Sequence, residues 1–226
     1  MRYAFPERTR VGKTVPKSKI YEHAAADTAL KEKFVAQVDK IIWSHKLAEE
    51  TLSLPATEKI PEIEIFDLYL KGGDIEETLL KAIDRAIPLP IFFYLHRSDG
   101  RIKAKAAYKR PSEANSRQWV IESYFESDWF DADTPTKPLP SAVDLEKLYA
   151  AMIKTLMPQS VAVSARADDI EVEVERAKLL KAKEREYQRL KARRDREKQF
   201  NKKVKLNEIL HILQKEIESL KNSKES

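Results

Sequence analysis

Cysteine is absent from this 226-residue chain, which removes disulfides, thiolate metal sites and cysteine nucleophiles together. Glycine is scarce, with four residues, so tight backbone cradles for phosphates or oxyanions are hard to build. No apolar run approaches the roughly 20 residues of a membrane span, and the opening "MRYAFPERTR" lacks the apolar core of a signal peptide. The histidines His23, His45, His96 and His211 are scattered without metal-ligand spacing, and no serine stands in a nucleophile-elbow context. The expectation is a soluble, cytoplasmic protein without membrane association, metal or cofactor, and more a binding protein than an enzyme.

What the chain does have is charge. Charged residues make up 35% of it, above the globular average of about 25%. The excess sits in the last quarter: Arg176 to Lys205 holds 14 Lys/Arg against 4 Asp/Glu, directly after the acidic stretch "ADDIEVEVE". Blocks of opposite sign side by side suggest an interaction surface.

Residues 1–19 are basic and rich in turn formers, and read as an N-terminal arm. Gly12-Lys13-Thr14 resembles the end of a phosphate-binding loop, but Glu7 stands where that loop needs its first glycine. Residues 27–48 read as an amphipathic helix capped by Asp27, with Leu30, Phe34, Val38, Ile41, Ile42 and His45 on one face. "IPEIEIFDLYLKGGD" (60–74) is a strand ending in a turn. "DIEETLLKAIDRAI" (74–87) is a helix opened by an Asp74–Glu77 capping pair, and "PIFFYLH" (90–96) is a strand buried on both faces. This strand–helix–strand unit favours a parallel crossover.

"RIKAKAAYK" (101–109) alternates, placing Ile102, Ala104, Ala106 and Tyr108 inward and Arg101, Lys103, Lys105 and Lys109 outward. A strand at 118–126 and an amphipathic helix at 141–157 follow. The expected fold is an α/β domain over 20–160, with a mixed four-stranded sheet packed with helices. A long C-terminal helical or coiled-coil extension over 166–222 completes it. Leu206, Leu210, Leu213, Ile217 and Leu220 form a seam at spacings of 4, 3, 4 and 3, and with Phe200 they are the expected surface for a partner helix or a second copy. The register breaks upstream, so the tail is one long helix with a stutter, or a hairpin folded near "QFNKK".

Two basic sets are candidates for nucleic acid: Lys103, Lys105, Lys109 and Arg110 on the sheet, and Lys191, Arg193, Arg194, Arg196, Lys198, Lys202 and Lys203 on the tail. A metal-dependent nuclease would instead use Glu62, Glu64 and Asp67 with Lys103 and Lys105. The acid that should accompany the lysines on 101–109 is missing, and the plainer expectation is that they pair across strands with Glu122 and Glu126.

In order along the chain stand "VPKSKIYEH", "LKEKFVAQVDKIIWSHKLAEETLSLPAT", "EIEIFDLYLK", "AIDRAIPLPIFF", "AAYKRPSEANSRQWV", "YFESDW" and "EKQFNKKVKLN". This succession resembles the bacterial domain-of-unknown-function family 4391 from about residue 11 to 220. Lys205 departs from it, standing where an acidic residue is expected. The resemblance carries no catalytic residues. It implies a neighbourhood of DNA methyltransferases and superfamily-2 helicases in restriction-like, anti-phage loci. The expected role is therefore a non-catalytic accessory subunit that docks a helicase or methyltransferase partner and touches DNA through its basic surfaces. The alternatives are a nuclease-like enzyme and a structural homodimer.

Overall fold

A computed structural model describes residues 2–112, 119–158 and 170–222, in two compact units, Met1–Leu156 and Met157–Ser226. In chain order the elements are β1 (Tyr3–Ala4), β2 (Arg10–Thr14), α1 (Lys17–His23), α2 (Thr28–Gln37), β3 (Val38–Ala48), α3 (Glu49–Leu52), β4 (Glu62–Leu70), α4 (Glu77–Ala86), β5 (Ile91–His96), β6 (Arg101–Pro111), β7 (Trp119–Glu126), β8 (Phe130–Asp131), β9 (Lys137–Pro138), α5 (Leu145–Lys154), α6 (Ile170–Arg196) and α7 (Phe200–Asn222).

The main sheet runs β2-β3-β4-β5-β6-β7, with β8 also paired to β6. It is mixed, as expected, but has seven strands and not four. The β4–β5 pair is parallel, joined by α4, and the other pairs in this sheet are antiparallel. Ile20, Phe34, Leu79, Leu80 and Ile83 from α1, α2 and α4 are buried on Phe66, Leu68, Phe93 and Leu95 of one sheet face. Each such side chain contributes about 1.5–3 kcal/mol of transfer free energy. The other face meets α5, where Tyr149 stacks on Tyr108 at 5.9 Å and donates to the Ala107 carbonyl at 2.7 Å.

The largest correction concerns 38–48. This segment is β3 and the helix expected across it stops at Gln37, although Asp27 caps it as foreseen, accepting from the Leu30 amide at 2.8 Å. The register of β3 on β4 shifts between Val38 and Lys40 and again between Trp43 and His45. Each bulge inserts a residue and breaks the period of two. Buried positions then fall at Val38, Ile41, Ser44 and Leu47, a spacing of three that imitates a helix. Residues 10–14, expected in a basic arm, form the edge strand β2. Gly12 there adopts φ +65°, the left-handed conformation a glycine bulge uses, beside a register shift between Arg10 and Lys13. The capping pair at the start of α4 does not form: the helix begins at Glu77, and Asp74 turns toward Lys103 at 3.2 Å.

The tail is a helical hairpin. Only Glu197–Gln199 separate α6 from α7. Arg194 Nη1 donates to Asn207 Oδ1 at 3.4 Å near the tip, Lys183 pairs with Glu216 at 2.7 Å midway, and Arg176 Nε donates to the Leu220 carbonyl at 2.7 Å at the base. Leu206, Leu210, Leu213 and Ile217 of α7 are buried, as are Ala177 and Leu180 of α6. The seam thus closes on α6 of the same chain, in place of a coiled-coil extension. Residues 166–169, expected to begin the helix, lie outside the described residues. Among those described, no helix is long and apolar enough to cross a membrane.

Candidate nucleic-acid interface

Of the two basic sets, the one on the sheet is internal. Lys103, Lys105 and Lys109 are buried, Lys109 against the end of α4 and Lys103 and Lys105 against β7 and the Asp74 turn. Lys109 Nζ lies 3.2 Å from Asp84 Oδ1 and donates to the carbonyls of Asp84, Ile87 and Leu89 at 2.9, 2.8 and 2.5 Å. The ammonium therefore meets the Asp84 carbonyl in the last turn of α4 and the carbonyls of Ile87 and Leu89 just past it, where a helix end is negative. Tyr124 completes the group by donating its hydroxyl to Asp84 Oδ2. Lys103 pairs with Asp74 and Glu126 at 3.2 and 3.1 Å, and Lys105 with Glu126 at 2.6 Å. Lys103 also lies 4.8 Å from the Trp129 ring centroid. Arg110 meets Glu122 at 3.5 Å. The cross-strand pairing with Glu126 thus forms, while the outward basic face does not.

The acidic set is split by the sheet. Glu64 shares the α4 side with Phe66, whereas Asp67 points to the other face. Glu64 accepts a hydrogen bond from Trp43 Nε1 at 2.5 Å, and its neighbour Glu62 pairs with Lys46 at 2.7 Å. Burial, with the adjacent Glu62 carboxylate, pushes the Glu64 carboxyl up to about 8. Asp67 Oδ1 lies 2.6 Å from His96 Nε2, and the His96 ring stacks on Tyr69 at 4.6 Å. Lys103 and Lys105 are committed to other acids. Among the described residues, no group of three or more His, Asp or Glu could hold a metal ion.

The hairpin tip is different. Arg189, Lys191, Arg193, Arg194, Arg196, Lys198, Lys202, Lys203 and Lys205 gather around a three-residue turn, and all but the half-buried Arg194 are exposed. The two acids among them are occupied. Asp195 accepts from Arg194 at 2.6 Å, and Glu197 Oε1 accepts from the amides of Lys198 and Gln199 at 2.9 Å each, which holds its carboxyl below the usual range. Among the described residues, the other eight cations hold no ion pair within 4 Å. Arg189, Arg193 and Arg196, at spacings of 4 and 3, line an open concavity of about 660 Å³ with Ala192, Glu197, Lys198 and Gln199, so that four cations there face one carboxylate. Phe200, the first residue of α7, is 77% exposed.

A family model described as a domain of unknown function (DUF4391) matches residues 4–217. The chain belongs to the DUF4391 family. No curated protein and no solved structure matches it. The match takes in both compact units, so the hairpin is part of what this DUF4391 member shares with its family model and not an appended tail.

Two features of this DUF4391 chain escaped sequence reasoning. Arg189 belongs with the tip set, and its spacing of 4 and 3 to Arg193 and Arg196 was there to be read. The Asp67–His96 contact was not readable, because it depends on the parallel β4–β5 register that sets Asp67 opposite Tyr94.

Proposed function

We propose that this DUF4391 protein is a non-catalytic accessory subunit of a bacterial anti-phage, restriction-like defence complex in the cytoplasm. Its α/β body docks a helicase or DNA methyltransferase, and its hairpin tip contacts DNA. The tip charge carries the DNA part: nine Lys/Arg lie within seventeen residues around the turn, and among the described residues a single ion pair, Arg194–Asp195, offsets them. Cations left uncompensated on a connected surface are what phosphate neutralisation requires, and they repel one another until a polyanion arrives. The partner half rests on the helicase and methyltransferase neighbourhood that the family resemblance implies.

The test is co-expression of the tagged chain with the products of its neighbouring genes and capture in moderate salt. Retention of a helicase or a methyltransferase is the expected result, and recovery of the chain alone sinks the docking half. In parallel, the triple variant Lys198→Ala/Lys202→Ala/Lys203→Ala is expected to lose DNA affinity; an unchanged affinity sinks the DNA half. Magnesium-dependent cleavage of DNA by the purified chain would overturn the accessory reading.

A further inference from the structure

The basic tip also indicates which form of DNA it fits. This step rests on the DNA-contacting tip proposed above and names its substrate. Two helices side by side, each about 10–12 Å across, make a tip about 20 Å wide. A major groove is about 12 Å wide and admits one helix, so the tip cannot enter a duplex groove end-first. It can lie against phosphates or meet the end of a duplex.

Phe200 decides between these. Against a row of phosphates, a benzyl side chain contributes nothing. Against an unpaired base it offers a stacking platform, and every base has a π-face to put on it. Its surroundings do not suit an apolar protein partner, which needs several apolar neighbours. Lys198, Lys202 and Lys203 flank it, and the next exposed apolar side chain along α7, Val204, is 39% exposed and sits between Lys203 and Lys205. Charge complementarity therefore points to a polyanion, and the ring to one with free bases.

We infer that the hairpin tip binds the junction between duplex and single-stranded DNA, with backbone phosphates along Arg189, Arg193, Arg196 and Lys198 and an unpaired base stacked on Phe200. Arg189, Arg193 and Arg196 form a phosphate track along one face of α6, and the ring stands where the turn reverses the chain. A junction supplies both ligands at once; a blunt duplex supplies only phosphates.

The experiment compares a forked DNA with a blunt duplex of the same length, by fluorescence anisotropy on the full chain. The fork is expected to bind more tightly. Phe200→Ala is expected to weaken fork binding about fivefold or more while leaving the blunt duplex unchanged. Phe200→Leu, which keeps apolar bulk without the ring, is expected to behave as Phe200→Ala. Phe200→Trp is expected to keep the preference and to add tryptophan emission that the fork quenches. Equal fork affinity in Phe200→Ala and the unaltered chain, with DNA binding otherwise intact, overturns the junction assignment and leaves the proposed function standing. Binding to neither DNA sinks both. A fork of the same sequence in RNA that displaces the DNA fork overturns the choice of DNA.

Discussion

Lys109 Nζ and Asp84 Oδ1 lie 3.2 Å apart with neither side chain exposed to solvent. Burial pushes the lysine's affinity for its proton down and the carboxyl's up, and each partner's charge opposes that shift in the other. The pair joins β6 to the end of α4, which gives a lysine that looked like a phosphate contact an architectural role. Lys109→Ala leaves the Asp84 carboxyl buried without its cation, and is expected to cost about 3–5 kcal/mol in urea denaturation. The double variant Lys109→Met/Asp84→Leu is expected to recover much of that. A loss below about 1 kcal/mol in the single variant would show that the pair does not hold the helix.

Glu64 makes stability depend on pH. Its carboxyl stands at about 8 against an ordinary 4.5, chiefly through burial. From about pH 5 to 8 the folded chain keeps a proton that the unfolded chain has released. Stability therefore falls as pH rises through that window, by up to about 1.4 kcal/mol per pH unit. Glu64→Gln is expected to flatten the fall, and urea midpoints at three pH values across the window check it. A slope unchanged by the substitution would mean that Glu64 ionises normally in the folded chain.

The α7 seam serves the hairpin. Leu213→Ala removes a buried side chain at the α6–α7 interface, and is expected to cost the hairpin about 2–5 kcal/mol. Amide hydrogen exchange would register this as lost protection across both helices with β4 and β5 unaffected. Protection unchanged in α6 would mean that the seam packs elsewhere.

The tip sets the salt dependence of DNA binding. Each phosphate neutralised contributes about −0.9 to the slope of log affinity against log salt. Lys202→Ala/Lys203→Ala is expected to reduce that slope by about 2 while the far-ultraviolet circular dichroism stays the same. Lys105→Met is expected to leave the slope alone and lower stability, since its partner is Glu126 and not solvent. The reverse pattern would move the interface from the hairpin to the sheet.

The sequence by itself determined much of this protein: the strand–helix–strand unit around α4, the existence of β6 and β7, the α5 helix, and the 4-3-4-3 seam of α7. These are local signals, periodic in the helices and continuous apolar or alternating runs in the strands, and they can be read without knowing the partner element. It also determined where the uncompensated charge lies, since nine cations and two acids within seventeen residues cannot all be paired locally.

The tertiary structure alone decided what those patterns face. The alternation in β6 says that Lys103, Lys105 and Lys109 share a side. Only the tertiary neighbours turn them inward: Asp84 of α4 meets Lys109, and Asp74 and Glu126 of β7 meet Lys103 and Lys105. The two bulges in β3 depend on its pairing with β4, so its spacing of three looked helical until the partner strand was in place. Whether the α7 seam receives a second chain or its own α6 turns on a reversal at Glu197–Gln199, which contains no glycine or proline to announce it. Partners distant in sequence made each of these choices, and a residue's burial depends on the partner it meets as much as on its own chemistry.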